Sequence, residues 1–258
     1  MRTKYLVRSR RVIDFFMPML AMVIFVVLGF TLVSITKDVV VVSLVCDVTI
    51  SLLGLAYIGW QFKKKDAFAE KPLGFVQVLA GCYAFLFLWF VCQQISAWVL
   101  LHFTDSAYAA YQTSTDMNPY LYVILAIGVA PVAEEILFRG IWFLHYRRSF
   151  GPVVGCFVSA FAFALFHGTV VHLPSTFLFG LFLAFVYHYT GRLMVCMALH
   201  VCFNGLALLA SDLVIPKALL ATPVAVAVYV GTLIGLSALI ILYVPQNKTS
   251  MQKEMYDK

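Results

Sequence analysis

The run PYLYVILAIGVAPVAEEILFRGIWFLHYRR occupies residues 119–148 and decides the fold class of this chain. Most of it is apolar, and about 20 consecutive apolar residues are enough for a helix to span a bilayer. Its interior nevertheless carries Glu134, Glu135 and Arg139. Ionisable side chains inside a bilayer cost about 2.5–3.5 kcal/mol each on insertion scales, so they are functional candidates wherever they occur.

The rest of the chain has the same apolar character. Of its 258 residues, 63% are hydrophobic and only 12% are charged, whereas a soluble domain has about 45–50% and about 25% respectively. The mean hydropathy is +0.95. This composition excludes a soluble globular enzyme, a disordered chain and a nucleic-acid-binding domain. It predicts an all-α, polytopic membrane helix bundle whose surroundings are the lipid bilayer.

Apolar runs along the chain predict about eight transmembrane helices. They cover residues 12–35, 39–62, 73–101, 119–146, 152–167, 175–189, 193–210 and 221–244. Residues 1–258 then form a single integral membrane domain, with tails at 1–11 and 246–258. Of the 18 Lys and Arg, five lie in 1–11, four in 63–71, two at 147–148, one at 192 and three in the C-terminal tail. By the positive-inside rule this pattern predicts that both termini are cytoplasmic.

Three polar clusters lie on three of the predicted spans. They are EEILFR at 134–139, FALFH at 163–167 and HVCFN at 200–204. Glu135 and Arg139 are four residues apart, so they share a helix face and can form a buried ion pair with a mainly structural role. Glu134 points about 140° away from Arg139 around a regular helix, which leaves it facing another group. His200 and Asn204 share one face by the same spacing.

A carboxylate, two imidazoles and an amide in a shielded site suit the hydrolysis of a peptide bond. In this interpretation Glu134 is the general base that takes a proton from water, and His167 positions that water or shares its proton. His200 and Asn204 donate hydrogen bonds to the carbonyl oxygen as negative charge develops on it.

The same residue types also allow a metal site. Glu134, His167 and His200 are able to ligate zinc and leave a position open for water, and the sequence leaves this alternative open. The usual zinc signature H-E-x-x-H is absent. The six cysteines lie in apolar runs without C-x-x-C spacing, so we predict that they pack as small hydrophobes and form neither disulfides nor a zinc framework.

The motifs E-E-x-x-x-R, F-x-x-x-H and H-x-x-x-N, in this order on three spans, resemble those of the CAAX protease and bacteriocin-processing family of intramembrane endopeptidases (CPBP, or Abi). The resemblance covers a core at residues 118–210. It implies that Glu134 and His167 activate water and that His200 and Asn204 are oxyanion donors. It favours a mechanism without metal or other cofactor, with zinc as the alternative. The residues implied to support the site are Glu135, Arg139 and Phe163.

The resemblance also implies a substrate class and a setting. The substrate is a membrane-associated peptide or protein, either a bacteriocin or signal-peptide precursor or a CAAX-like protein. Short length and compact loops favour a bacterial plasma-membrane protein with a role in bacteriocin processing or self-immunity. Two other functions stay open. One is a non-catalytic membrane regulator that contacts a sensor kinase, and the other is a proton-coupled transporter or lipid-modifying enzyme, since buried Glu and His also form proton relays.

Overall fold

The computed structural model describes residues 2–63, 74–102, 119–167 and 171–212. This part of the chain is helical and contains no strand, so the predicted all-α membrane bundle is confirmed at that level. Its helices are α1 (Arg2–Thr36), α2 (Val39–Lys63), α3 (Phe75–His102), α4 (residues 119–150), α5 (Pro152–Phe166), α6 (Leu173–Thr190) and α7 (Leu193–Asp212).

Five of these helices are long and apolar enough to cross a membrane, namely Phe15–Thr36, Val40–Gly59, Gln77–Ser96, Tyr120–Phe150 and Leu173–Thr190. Two further helices, Pro152–Phe166 and Leu193–Leu209, are apolar but shorter. The protein is therefore an integral, multi-pass membrane protein. All seven helices fall on the first seven predicted spans. The eighth span, 221–244, lies outside the described residues, and the total of eight and the orientation of the termini stay predictions.

Helix α4 is not the regular α-helix that the sequence predicts, because it contains two wider π-helical segments. They are Ile124–Val129 and Ile136–Phe143, and they flank the α-helical turn Ala130–Glu135. Such segments are rare and occur frequently at functional sites. The Glu134–Glu135 pair thus lies between two stretches where the helix is widened.

Helices α2 and α4 approach each other closely because each offers a glycine to an isoleucine of the other. A side chain at Gly54 would collide with Ile136, and one at Gly140 would collide with Ile58. Lipid provides no hydrophobic drive for two spans to associate, so van der Waals contact at small residues has to hold them together. This reciprocal fit fixes α2 beside the turn that carries the two glutamates.

Two glycines with positive φ connect the helices that carry the polar clusters. Gly151 (φ 94°) lies between α4 and α5, and Gly191 (φ 71°) lies between α6 and α7. Residues with a Cβ rarely adopt these angles, whereas glycine does so at little cost. Each turn needs only one or two residues, so α4 and α5 are packed as neighbours, and α6 leads directly into α7.

Candidate active site

Glu135 is the centre of the buried polar network. Its Oε1 atom accepts a hydrogen bond from Arg139 Nη1 at 2.6 Å and another from His200 Nδ1 at 2.8 Å. The Glu135 and Arg139 side chains are fully buried, and the ion pair predicted from their spacing is present. Because the carboxylate accepts the bond, the proton of this imidazole lies on Nδ1. Glu135 thereby joins α4 to α7.

Arg139 extends this network to two more helices. Its Nη2 atom donates to the backbone oxygen of Gly180 on α6, at 3.1 Å. Its guanidinium carbon lies 4.7 Å from the centre of the Phe163 ring on α5, a cation–π contact. One buried cation therefore contacts α5 and α6 while it neutralises Glu135.

His200 faces both glutamates. While Nδ1 is bonded to Glu135, Nε2 lies 3.6 Å from Glu134 Oε2. That distance is too long for a direct hydrogen bond. It is also too short for a water molecule to lie between the two atoms, so a water that contacts both has to lie beside them. The imidazole is held edge-to-face between Phe163 and Phe179, with ring centroids 5.5 and 5.2 Å away. The ring is thus fixed in one orientation and, when neutral, turns its lone pair toward Glu134.

Glu134 has a different environment from its neighbour. Its side chain keeps 17% of its surface exposed, whereas that of Glu135 is fully buried. It faces His200 on α7, in agreement with its predicted direction away from Arg139. Of the two adjacent carboxylates, Glu134 is therefore the one that water or a substrate can reach.

His167 lies at the end of α5, and its Nδ1 atom is 2.8 Å from the backbone oxygen of Phe163. A carbonyl only accepts, so Nδ1 carries the proton and Nε2 the lone pair of the neutral ring. The imidazole lies against the Phe163 ring, with centroids 4.6 Å apart. Since Phe163 also contacts His200, one aromatic side chain brings both predicted histidines together. His167 itself is linked to the other predicted residues through Phe163.

Asn204 donates a hydrogen bond to the backbone of α4, and the proline at position 131 of α4 explains why this bond is needed. The Ala130 N–H donates to Leu125 oxygen, five residues back, so the corresponding donor for Ala126 oxygen would be residue 131. Residue 131 is proline and has no N–H. Asn204 Nδ2 supplies the missing donor with a 2.8 Å hydrogen bond to Ala126 oxygen. The second N–H of this amide is not needed for that bond and is available for another acceptor.

Asp47 is an ionisable residue near the site that the sequence motifs do not include, and its charge interacts with Glu134. Asp47 lies on α2, two turns before Gly54, and so on the face that packs against α4. An ionisable residue in the middle of a predicted span is itself a sufficient signal. It was missed because it belongs to no cluster along the chain.

The described residues do not fit the zinc alternative. Among them, no three His, Cys, Asp or Glu side chains lie together in a way that would hold a metal ion. The set Glu134, His167 and His200 is therefore not a preformed metal centre in this arrangement.

Comparison with known proteins gives one match. Residues 116–206 match the family model described as type II CAAX prenyl endopeptidase, Rce1-like, and this stretch contains all three polar motifs. No curated protein and no solved structure matches the chain. The matched family is a family of proteases, which supports an intramembrane protease at the level of the family. The resemblance predicted from the three motifs is therefore confirmed by the match of residues 116–206 to the Rce1-like family model.

Proposed function

We propose that this protein is an intramembrane endopeptidase that hydrolyses a peptide bond of a membrane-associated substrate with water activated by Glu134. One observation carries the proposal. Glu135 is occupied by Arg139 and His200, whereas Glu134 is partly exposed and lies 3.6 Å from His200 Nε2. A water molecule beside this pair of atoms can contact both the carboxylate and the imidazole lone pair, and both can polarise it.

The proposed reaction follows from the proton positions on the two imidazoles. Glu134 takes a proton from the water as its oxygen attacks the carbonyl carbon, and His167 Nε2 accepts the second hydrogen bond that orients the water. The oxyanion that forms accepts from the remaining N–H of Asn204. His200 Nε2, once it shares the proton taken by Glu134, becomes a further donor. Glu134 then gives the proton to the departing amine, which balances the step.

The substrate class that we favour is a prenylated CAAX-type protein, because that is the activity named for the matched family model. A bacteriocin or signal-peptide precursor stays the second possibility within the same chemistry. Bacterial origin, a role in self-immunity and contact with a sensor kinase have no support in the described structure or the family match. A proton-coupled transporter has none either.

The test is cleavage of a fluorogenic peptide with a prenylated CAAX end by the purified protein in lipid nanodiscs, with products identified by mass spectrometry. We expect Glu134→Gln and His167→Ala each to lower kcat by a factor on the order of 10² or more. Glu70→Gln, in the predicted loop before α3, is the matched control and should keep activity. If Glu134→Gln cleaves at the rate of the control, the proposed role of Glu134 is wrong.

Two further experiments test the substrate class and the dependence on metal. An unprenylated peptide of the same sequence shows whether the lipid is recognised, and a bacteriocin-precursor peptide tests the second substrate class. Activity that persists in a strong chelator, with no metal found by elemental analysis, would support the metal-free mechanism. Loss of activity that zinc restores would replace it with a zinc mechanism that requires a different arrangement of Glu134, His167 and His200.

A further inference from the structure

Asp47 is a carboxylic acid in the middle of the second span, and the reaction described above gives it no role. It lies near the centre of the membrane-spanning segment Val40–Gly59, where an ionisable side chain is costly and marks a functional candidate. The side chain is half-buried, and it forms neither a hydrogen bond nor an ion pair with any residue that the structure describes. It therefore adds no polar contact to the fold, which points to a ligand as its partner.

The positions of its neighbours on α2 show that Asp47 faces the bundle. It precedes Gly54 by seven residues and Ile58 by eleven, so the three share one helix face to within about 20°. Gly54 and Ile58 are the residues of α2 that meet α4. The exposed side chains Val48 and Leu52 lie on another face of the same helix. Asp47 is thus on the side of α2 that turns to α4 and not on the side that turns to lipid.

The glycine contacts between α2 and α4 also give the depth of Asp47 relative to Glu134. The two contacts advance four residues on both helices, so α2 and α4 run parallel. Asp47 lies about 10 Å before the Gly54–Ile136 contact along α2, and Glu134 lies about 3 Å before it along α4, at 1.5 Å per residue. The two carboxylates are therefore offset by about 7 Å along the helices, roughly the length of two residues of an extended peptide.

The charges around Asp47 and Glu134 leave this pair without a cation of its own. The charge of Asp47 acts on Glu134 more strongly than the charge of Arg139 does. Among the described groups whose charges act on Glu134, Arg139 is the only permanent cation. Arg139 is bonded to Glu135 and to Gly180 oxygen. Two neighbouring carboxylates in surroundings of low dielectric constant attract a cation strongly, so a positively charged ligand suits this place.

Hydrolysis of a peptide bond at Glu134 produces such a ligand. One proton of the attacking water reaches the scissile nitrogen through Glu134, and the other stays on the new carboxyl group and then passes to the amine. The products are a carboxylate on one fragment and an ammonium group on the other, since the pKa of an α-amino group is about 7.7–8.0. The ammonium group forms beside Glu134, and a movement of about 7 Å toward Asp47 takes it away from the reacting atoms.

We infer that Asp47 binds the new amino terminus of the released peptide, and that the ammonium group passes from Glu134 to Asp47 as this product leaves. The inference rests on the proposed function, because hydrolysis creates the amino terminus. Asp47 is then a product-binding residue, and Glu134 is left free to contact the next water molecule. A released peptide with a free amine should therefore bind better than the same peptide without its amino group.

The test compares two tripeptides as ligands of the purified protein in lipid nanodiscs. One is the tripeptide that the fluorogenic CAAX peptide releases, and the other has hydrogen in place of its amino group. Their affinities are measured by titration calorimetry and as inhibition constants in the cleavage assay. We expect the tripeptide with the free amine to bind about tenfold tighter or more, as for a hydrogen bond between charged groups.

Asp47→Asn should fold, because it removes a costly charge from a span. It should abolish most of the preference for the free amine and leave the affinity for the tripeptide without an amino group unchanged. The matched control is Asp38→Asn, directly before α2. Asp38 is exposed and accepts a hydrogen bond from the Val41 N–H, which an asparagine at this position also accepts, so this variant should keep the full preference.

Equal binding of the two tripeptides to the wild-type protein overturns the inference, and so does a preference that survives Asp47→Asn. A loss of affinity for both tripeptides alike in Asp47→Asn also overturns it, because Asp47 then has only a structural role. Calorimetry needs no turnover, so the two proposals fail separately. Cleavage without a preference for the amine contradicts this inference alone, whereas a preference that depends on Asp47 without cleavage supports the ammonium site and contradicts the proposed function.

Discussion

Replacing Arg139 by methionine tests the structural core of the site. Methionine replaces the apolar stem of the arginine side chain and lacks the charged guanidinium. The substitution removes the 2.6 Å ion pair with Glu135, the 3.1 Å bond to Gly180 oxygen and the cation–π contact with Phe163. His200 still donates to Glu135, so what remains is a fully buried carboxylate without a cation.

The size of the effect follows from that uncompensated charge. Removing one partner of a buried ion pair costs about 3–5 kcal/mol in proteins, and a lone charge in a span costs about 2.5–3.5 kcal/mol on insertion scales. The two figures describe the same penalty, so they are not added. We expect Arg139→Met to lower the free energy of unfolding by about 3 kcal/mol.

The double variant Glu135→Gln with Arg139→Met separates charge from packing. The amide oxygen of the glutamine introduced at position 135 still accepts from His200 Nδ1, while the uncompensated charge is gone. This variant should recover about 2 kcal/mol or more of the loss. The assay is reversible unfolding in mixed micelles, followed by Trp fluorescence. A single variant within about 1 kcal/mol of wild type, or a double variant no more stable than the single one, would show that Arg139 does not compensate a charged Glu135.

Three other substitutions test contacts around the site. Gly180→Val places side-chain atoms about 3.1 Å from the Ala160 backbone and should lower the free energy of unfolding by about 1–3 kcal/mol. The control Gly205→Ala, whose new side chain meets open space, should leave the free energy of unfolding unchanged. Equal effects of the two substitutions would refute the close approach of α5 and α6. Asn204→Ala leaves Ala126 oxygen without its partner and should cost about 1–3 kcal/mol as well as activity; unchanged stability in the unfolding assay would show that the bond is unimportant. Phe163→Leu should loosen both imidazoles and lower kcat more than it raises KM, as a peptide-cleavage assay would show; wild-type kcat would rule out a positioning role for this ring.

The sequence was sufficient for features that depend on neighbours along one helix. The pairing of Glu135 with Arg139 follows from i, i+4 geometry. The same geometry predicts that Glu134 points away from Arg139 and faces a different partner. It also showed that His200 and Asn204 share a face of α7. These are properties of regular helices. The Glu135–Arg139 pair forms even though Arg139 lies in the π-helical segment Ile136–Phe143.

The features that the sequence did not reveal depend on contacts between helices. That His200 bonds Glu135 through Nδ1 while Nε2 turns to Glu134 requires the relative position of α4 and α7. The bond of Asn204 to Ala126 depends on the widened turn ahead of Pro131, which a regular-helix prediction does not contain. Asp47 approaches Glu134 only because Gly54 and Gly140 let α2 pack closely against α4.

The charges of the network explain why the proposed site needs two adjacent glutamates. One pairs with Arg139, and the other keeps the charge that the proposed reaction uses. With both glutamates ionised and His200 neutral, Glu134, Glu135 and Arg139 together carry a net charge of −1, and Arg139 is bonded to Glu135. The uncompensated charge therefore lies on Glu134, the carboxylate that remains partly exposed. When Glu134 takes a proton from water, negative charge moves from that carboxylate to the oxyanion. The total does not change, so the buried site avoids a second uncompensated charge, whose cost would be greatest in surroundings of low dielectric constant.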